Sequence, residues 1–380
     1  MPSAVLAFDL LCALARPRPD LSEIRDILSK GVDTDVLFSL ADRHAIRPSL
    51  ARLPDLVSDP ALSAELRRRF REFERPHVLR TLSMVDELIR IGDAFAAGGL
   101  RFVTFKGPIL AQQLYGGVSQ REYADIDLLV PPEEAAMARA ELGRLGYRNA
   151  QGDADFVETF LARQRQVALE RPGFEPAIDL HWAFSGHSLP FPVAAGEVWS
   201  QLGQASLGGR AIPTLSAEDL ALLLAGHGTK EAWHNLVWVA DFARLVEHYR
   251  DLDWTRILHR ARRQRAGDAV LLAATIANRL LGSAIPPPLA DALAGRRHVI
   301  SLADRLIADL RRGGTAAAPR PNLSDLLLCD RAVDRAWARI RIASTPSPGD
   351  FKALPLPPLL WPLYWVIRPF RLAAKAVRGR

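Results

Sequence analysis

Two carboxylates stand one residue apart in the stretch "REYADIDLLVPPEE": Asp125 and Asp127, at the head of an apolar run that reads as a buried strand. On a strand, residues two apart point to the same face, so the pair projects together, about 6–7 Å apart at the backbone. Like charges so placed raise each other's pKa unless a cation lies between them. Mg²⁺ suits them, with Mn²⁺ as the alternative, because it takes oxygen ligands and keeps waters and substrate phosphates in its shell. The competing reading is a strand end at the surface with two solvated carboxylates. A third acid, Asp179, lies in the strand-like run "AIDLHW" and favours the metal. Three acids on neighbouring strands can hold two ions about 3.5–4 Å apart, which clamp the attacking and leaving oxygens of a phosphoryl displacement. Asp179 then serves as general base or shared ligand. His181 shares its strand face and either orients an acceptor, reaches the metal, or is an interior histidine.

Cations come next. In "TFKGP" a strand ends at Lys106, Gly107 lets the backbone approach a ligand, and a helix opens whose free N–H groups and positive dipole end suit a phosphate. Lys106 can reach a phosphate as a point charge, and Arg121, just before the acidic strand, can add a second cation. Farther on, "LLLAGHGTKEAWHNLVWVADF" sets His227 three residues before Lys230 and Trp238 three before Asp241, so each pair can share a helix face. Lys230 could meet a triphosphate, Trp233 could stack on a base, and Asp241 could hold Lys230 or a ribose. The plainer reading is a core helix with packed tryptophans and capping polar residues.

These residues need elements to hold them. Residues 1 to about 95 read as helices, from the capped "DLSEIRDILSKG" to "LSAELRRRFREFERPHVLRTLSMVDELIRIGDAFAAGG", with apolar positions at three and four spacing. The arginine run there reads as a solvated helix face. From residue 98, "GGLRFVTFKG" and "PILAQQLYGG" predict a strand, a turn and a helix start. "DIDLLV" is followed by a helix over "PEEAAMARAELGRLGY", and "RQVALERP" with "FEPAIDLHWAF" predicts a hairpin turning at Pro172-Gly173. Past Pro213 helices resume, with Ser216 as a cap and Asp219 at the reciprocal position, and continue to about residue 343. Prolines 355, 357, 358, 362 and 369 deny the tail a regular helix. The tail is too broken to span a bilayer. Packing onto the body of the protein or onto a partner is the preferred reading of residues 354–380. An interfacial anchor on an anionic leaflet, helped by Arg368, Arg371, Lys375, Arg378 and Arg380, is the other.

Composition narrows the classes. At 49% hydrophobic and 24% charged the chain is not mostly disordered. Its two cysteines, Cys12 and Cys329, have no spacing for a disulfide framework or a zinc knuckle. No basic residue precedes the first apolar run and Asp9 interrupts it, which makes a poor signal peptide. A cytoplasmic location, with peripheral membrane contact through the tail as an option, is the expectation. The net charge of +6 permits contact with phosphates. A nucleic-acid acceptor stays open, although no compact basic and aromatic module of a nucleic-acid binder is present.

The ordered set Lys106-Gly107, Tyr115, Arg121, "DIDLLV" from Asp125 to Val130 and "IDLHW" from Ile178 to Trp182 resembles the uncharacterised nucleotidyltransferase family of bacteria, a branch of the polymerase-β-like nucleotidyltransferases. The likeness is clearest over residues 98–185 and extends more loosely to "HGTKEAWHNLVWVADFARL". It implies an α+β fold with a small mixed β-sheet core, three metal-binding acids at Asp125, Asp127 and Asp179, and transfer of a nucleoside monophosphate from an NTP with release of pyrophosphate. The wider superfamily usually has Gly-Ser or Gly-Gly at the early turn where this chain has Lys-Gly-Pro, which agrees with the narrower family. The expected organisation is a helical region over 1–95, the α/β core over 96–212, a helical domain over 213–345 and a tail over 346–380. The acceptor is a small molecule, a peptide or a protein. Two other readings compete: a glycosyltransferase using Asp-x-Asp as its metal motif, and a non-catalytic nucleotide-binding scaffold attached to a membrane or partner.

Overall fold

In the computed structural model, residues 2–150, 165–185, 189–312, 327 and 329–378 are described. The amino-terminal helices are α1 (Pro2–Ala15), α2 (Leu21–Ser29), α3 (Thr34–Arg43) and the long α4 (Pro60–Ala97), with 3₁₀ turns over Arg47–Asp55 between the last two. Asp20, Asp33 and Asp59 each cap the following helix, their carboxylates accepting from backbone N–H groups two and three residues on. On α4 the arginine run pairs with acids of its own face, Arg68 with Glu65 and Glu72, and Arg69 with Glu65. This is the solvated face expected for it.

The sheet is built from β1 (Val103–Thr104), β2 (Asp125–Leu129), β3 (Arg148–Asn149), β4 (Gln166–Arg171), β5 (Phe174–His181), β6 (Leu202–Leu207) and β7 (Arg210–Leu215), in the order β3-β4-β5-β2-β1-β7-β6. Parallel pairing of β2 with β5 and of β1 with β7 makes it mixed, and the fold is α+β as expected. Two helices, α5 (Gly107–Tyr115) and α6 (Ala135–Arg144), lie between its strands in sequence. The β4–β5 hairpin turns where Pro172-Gly173 predicts it, with Gly173 at φ +79°. The β6–β7 hairpin was not anticipated. Its two-residue turn puts Gly208 at φ +56° and Gly209 at φ +78°, the pair of left-handed conformations that a tight hairpin needs.

Alternation along β2 and β5 decides where the acids point. Ile126, Leu128, Ile178 and Leu180 are fully buried in a cluster with Met84, Leu88, Ile91 and Phe95 of α4 and Leu142 of α6. With those four fixed on the α4 face, Asp125, Asp127, Asp179 and His181 must occupy the other face. A one-residue slip of either strand would bury its acids under α4.

A second helical group follows: α7 (Ala217–Lys230), which packs against β7 and brings His227 and Lys230 to the acids' cleft, then α8 (Leu236–His248), α9 (Trp254–Arg263), α10 (Gly267–Leu281), α11 (Pro287–Leu293) and α12 (Arg297–Arg311), which pack on one another. Ser216 caps α7, accepting from Asp219 N–H and donating to its carboxylate at 2.8 Å. The chain ends with α13 (Ala332–Ser344), α14 (Pro348–Ala353), a 3₁₀ segment over Pro358–Leu363 and α15 (Tyr364–Arg378). The prolines therefore break the tail less than expected, because α15 runs through Pro369. The lost N–H costs one helical bond. Against it, Arg368 and Arg371 both bind the buried Asp350, and buried Tyr364 donates to Leu354 C=O at 2.7 Å. Arg380 lies outside the described residues.

Candidate active site

Neighbouring strands of a sheet run about 4.8 Å apart, and the β2–β5 register sets Asp127 directly beside Asp179. Asp125, two residues earlier, projects from the same face. His181 follows on β5 with Nε2 3.2 Å from Asp127 Oδ1, and Lys106 Nζ lies 3.5 Å from the same oxygen. The second oxygen, Asp127 Oδ2, is buried with no hydrogen-bond partner among the described residues. Ligand atoms of Asp127, Asp179 and His181 all lie within 4.8 Å of one another.

These groups line a cleft of about 170 Å³ together with His227 and Lys230 of α7, the aromatic rings of Phe184 and Phe191, and Gln166 and Glu231. Burial and then the Asp127 charge push Asp125 up to about 6. The same two causes raise Asp179. Burial also works against the Asp127 carboxylate, but Lys106 and the His181 hydrogen bond outweigh it and hold Asp127 below the usual carboxylate range. One acid is thus ionised by its neighbours, and at the other two burial and the Asp127 charge outweigh the nearby cations. His227 is held well below its ordinary value by burial and then by Lys106 and Lys230, which keeps the ring neutral edge-on to Trp238 at 5.2 Å.

The donor set fits a hard divalent cation. Ligand atoms of two carboxylates, Asp127 and Asp179, and of His181 converge, Asp125 lines the same cleft, one oxygen of Asp127 is buried and unused, and Asp125 and Asp179 make no ion pair among the described residues. An unpartnered buried oxygen costs about 1–3 kcal/mol, which a bound cation would recover. Gly107 sits against this strand. At φ +54°, a Cβ there would lie 2.9 Å from Asp125 C=O, so only glycine lets the start of α5 approach the acids this closely.

Three expected roles move elsewhere. Arg121 is not a free cation for phosphate: it is 6% exposed, with Nε and Nη2 each 2.8 Å from the two oxygens of Asp241. Asp241 accordingly does not hold Lys230 or face a ribose, and it also accepts from Tyr115 O–H at 2.7 Å. This buried pair joins the segment before β2 to α8. Trp233 is 1% exposed, its indole N–H donating to Thr229 Oγ1 at 3.2 Å, so it has no face left for a base. The chain turns at Ala232 and Trp233, both at positive φ, and folds that ring back over Gly228, where a Cβ would lie 2.6 Å from it. Lys106, Gly107, Asp125, Asp127, Asp179, His181, His227 and Lys230 do come together. Gln166 was missed, because the β4–β5 register shifts between Leu169 and Arg171 and its pairing with His181 cannot be counted back from the turn.

No curated protein matches the chain. Two solved structures of the antibiotic-resistance factor ANT(2″)-Ia are similar. The crystal structure with adenylyl-2″-tobramycin is 16% identical over 60% of this chain and 98% of that one, with a TM-score of 0.28. The solution structure is 15% identical over 57% and 96%, also at 0.28. Likeness at that level adds nothing to the assignment. The model of the uncharacterised nucleotidyltransferase family, in contrast, matches residues 30–282, more than half of the chain and every residue of the cleft. The chain belongs to the uncharacterised nucleotidyltransferase family.

Proposed function

We propose that the cleft transfers a nucleoside monophosphate from an NTP to a hydroxyl of a small-molecule, peptide or protein acceptor, releasing pyrophosphate. The observation that carries this reading is the side-by-side placement of Asp127 and Asp179, with Asp125 on the same face and Asp127 Oδ2 buried and unused. Asp125, Asp127 and Asp179 would hold Mg²⁺ or Mn²⁺, which supplies charge neutralisation of the triphosphate and acidifies the attacking hydroxyl. Lys106, at the start of α5, and Lys230, at the end of α7, bind phosphate oxygens. Asp179, raised by burial and by Asp127, accepts the proton of the acceptor hydroxyl. The acceptor oxygen forms its bond to the α-phosphorus as the bond from that phosphorus to the bridging oxygen breaks, and the electron pair leaves with pyrophosphate. Neutral His227 and the Phe184 and Phe191 rings wall the cleft and exclude water. A cytoplasmic location is part of the proposal, in keeping with buried Cys12 and Cys329, neither of which forms a disulfide.

The test follows the label. NTPs labelled at the α-phosphate are incubated with Mg²⁺, the protein and the pooled small molecules and proteins of a cell extract. Label carried onto an acceptor by the native chain and not by Asp127→Asn supports the proposal. NTP binding with no transfer from any nucleotide would leave a non-catalytic nucleotide-binding protein. Release of a nucleoside diphosphate from nucleotide sugars would favour the glycosyltransferase reading.

A further inference from the structure

The last fifty residues differ from the rest of the chain in charge. Residues 331–380 contain ten Lys and Arg against two acids, Asp334 and Asp350, so the first 330 residues are slightly acidic and the whole basic excess belongs to the end of the chain. Both acids are engaged: Asp334 with Arg265, and Asp350, fully buried, with Arg368 and Arg371. The structure turns this segment inside out. Its carboxylate and the Arg368 guanidinium pack inward, the half-buried Arg371 reaches the same carboxylate, and Ser347 O–H also donates to Asp350 at 2.6 Å. Large apolar side chains face outward, with Leu359 93% exposed, Phe370 72% and Val366 60%. On α13, Trp337 and Ile340 lie three residues apart and are 59% and 57% exposed. Soluble surfaces rarely gather exposed side chains of this size, and a cluster of them calls for a partner.

We propose that α13, the Pro358–Leu363 segment and α15 dock on an anionic lipid surface. Two observations select lipid over a protein groove. The basic excess is confined to the segment that exposes the apolar side chains, the combination that binds the interface of a negatively charged leaflet. Leu359, Val366 and Phe370 project as separate tips from a 3₁₀ turn and a Pro-containing helix, a form suited to insertion among acyl chains. No helix among the described residues is long and apolar enough to cross a membrane, so the surface lies on the bilayer. Docking would hold the nucleotidyltransferase cleft beside the membrane, and it does not depend on that cleft being active.

The experiment is co-sedimentation of the full chain with vesicles of phosphatidylcholine alone and of phosphatidylcholine mixed with phosphatidylglycerol. Native protein should sediment with the mixed vesicles, much less with the neutral ones, and progressively less as salt is raised. Leu359→Asp should weaken vesicle binding about tenfold or more, because one leucine leaves the acyl region and a charge enters it. The 93% exposure of Leu359 makes this change safe for the fold. Phe370→Asp is the second variant, with circular dichroism as the check on both. Failure of the native chain to bind mixed vesicles would overturn the proposal, as would binding that Leu359→Asp and Phe370→Asp leave intact. Dimerisation in solution that both variants abolish, without vesicle binding, would reassign the surface to a second copy of the chain.

Discussion

Asp127 and Asp241 are both almost completely buried, at 2% and 1% exposure, yet the fold treats them in opposite ways. Asp241 is fully matched. Arg121 meets it in a two-point fork and Tyr115 donates to it as well, so every charge that burial strands is answered within the chain. Asp127 has one oxygen near Lys106 and His181 and one with nothing, beside two further acids. The difference separates structure from function better than residue type does. A buried charge closed on itself holds elements together, whereas a buried charge left open is kept for something that arrives. His44 shows a third solution. Both its ring nitrogens are buried without partners among the described residues, and burial, with Arg43 adding to it, lowers its pKa to about 4, so the ring sheds its charge.

Removing one member of each set should break the two regions differently. Asp241→Leu leaves the Arg121 guanidinium buried and alone, a loss of about 3–5 kcal/mol measurable by urea unfolding. Asp125→Asn should leave the unfolding free energy unchanged or raised, because burial and the Asp127 charge both work against its carboxylate. Equal losses from both would erase the distinction. Label transfer from NTP reverses the order: Asp127→Asn should reduce it about a hundredfold or more, the scale for removing one preorganised electrostatic contact at a reacting centre. A smaller effect comes from Gly107→Ala, which puts a Cβ 2.9 Å from Asp125 C=O at a backbone angle of +54°. We expect about 1–3 kcal/mol of destabilisation from the strain, together with weaker metal-dependent nucleotide binding as Asp125 is displaced. Loss of stability with intact binding would show that the close approach serves packing alone.

At neutral pH the smallest effect is at His44, which shows itself only as pH falls. The folded chain binds a proton at His44 more weakly than the unfolded chain does, with values of about 4 and 6.5. The stability tied to the neutral ring is therefore complete above pH 6.5 and is lost as pH falls toward 4. His44→Leu should flatten that part of the stability curve, followed by thermal melts at stepped pH. An unchanged slope would mean that the ring is not the group taking up the proton.

Much of the site was legible because it is local. The "DIDLLV" alternation, the Lys106-Gly107 turn and the Pro172-Gly173 hairpin each predict their own geometry, and two strands with known faces bring three acids together. What was not legible depends on residues far apart. Arg121 and Asp241 are separated by 120 positions, and nothing near either one announces the other. Trp233 looks free on a helical pattern and is buried because the chain leaves that pattern at Ala232. The β6–β7 hairpin had one readable signal, Gly208-Gly209, but its strands alternate too weakly to support it. In the tail, counting prolines overstated the break, because the Asp350 contacts that stabilise α15 come from an earlier element.

The open carboxylates are tested most directly by calorimetric titration of each NTP with Mg²⁺ into the native chain and into Asp125→Asn/Asp127→Asn. Binding of at least one NTP that requires Mg²⁺ and is lost in the folded double variant is the predicted result. Magnesium-independent binding, or equal binding by the variant, would contradict it and leave the unpartnered oxygen of Asp127 without a ligand to explain it.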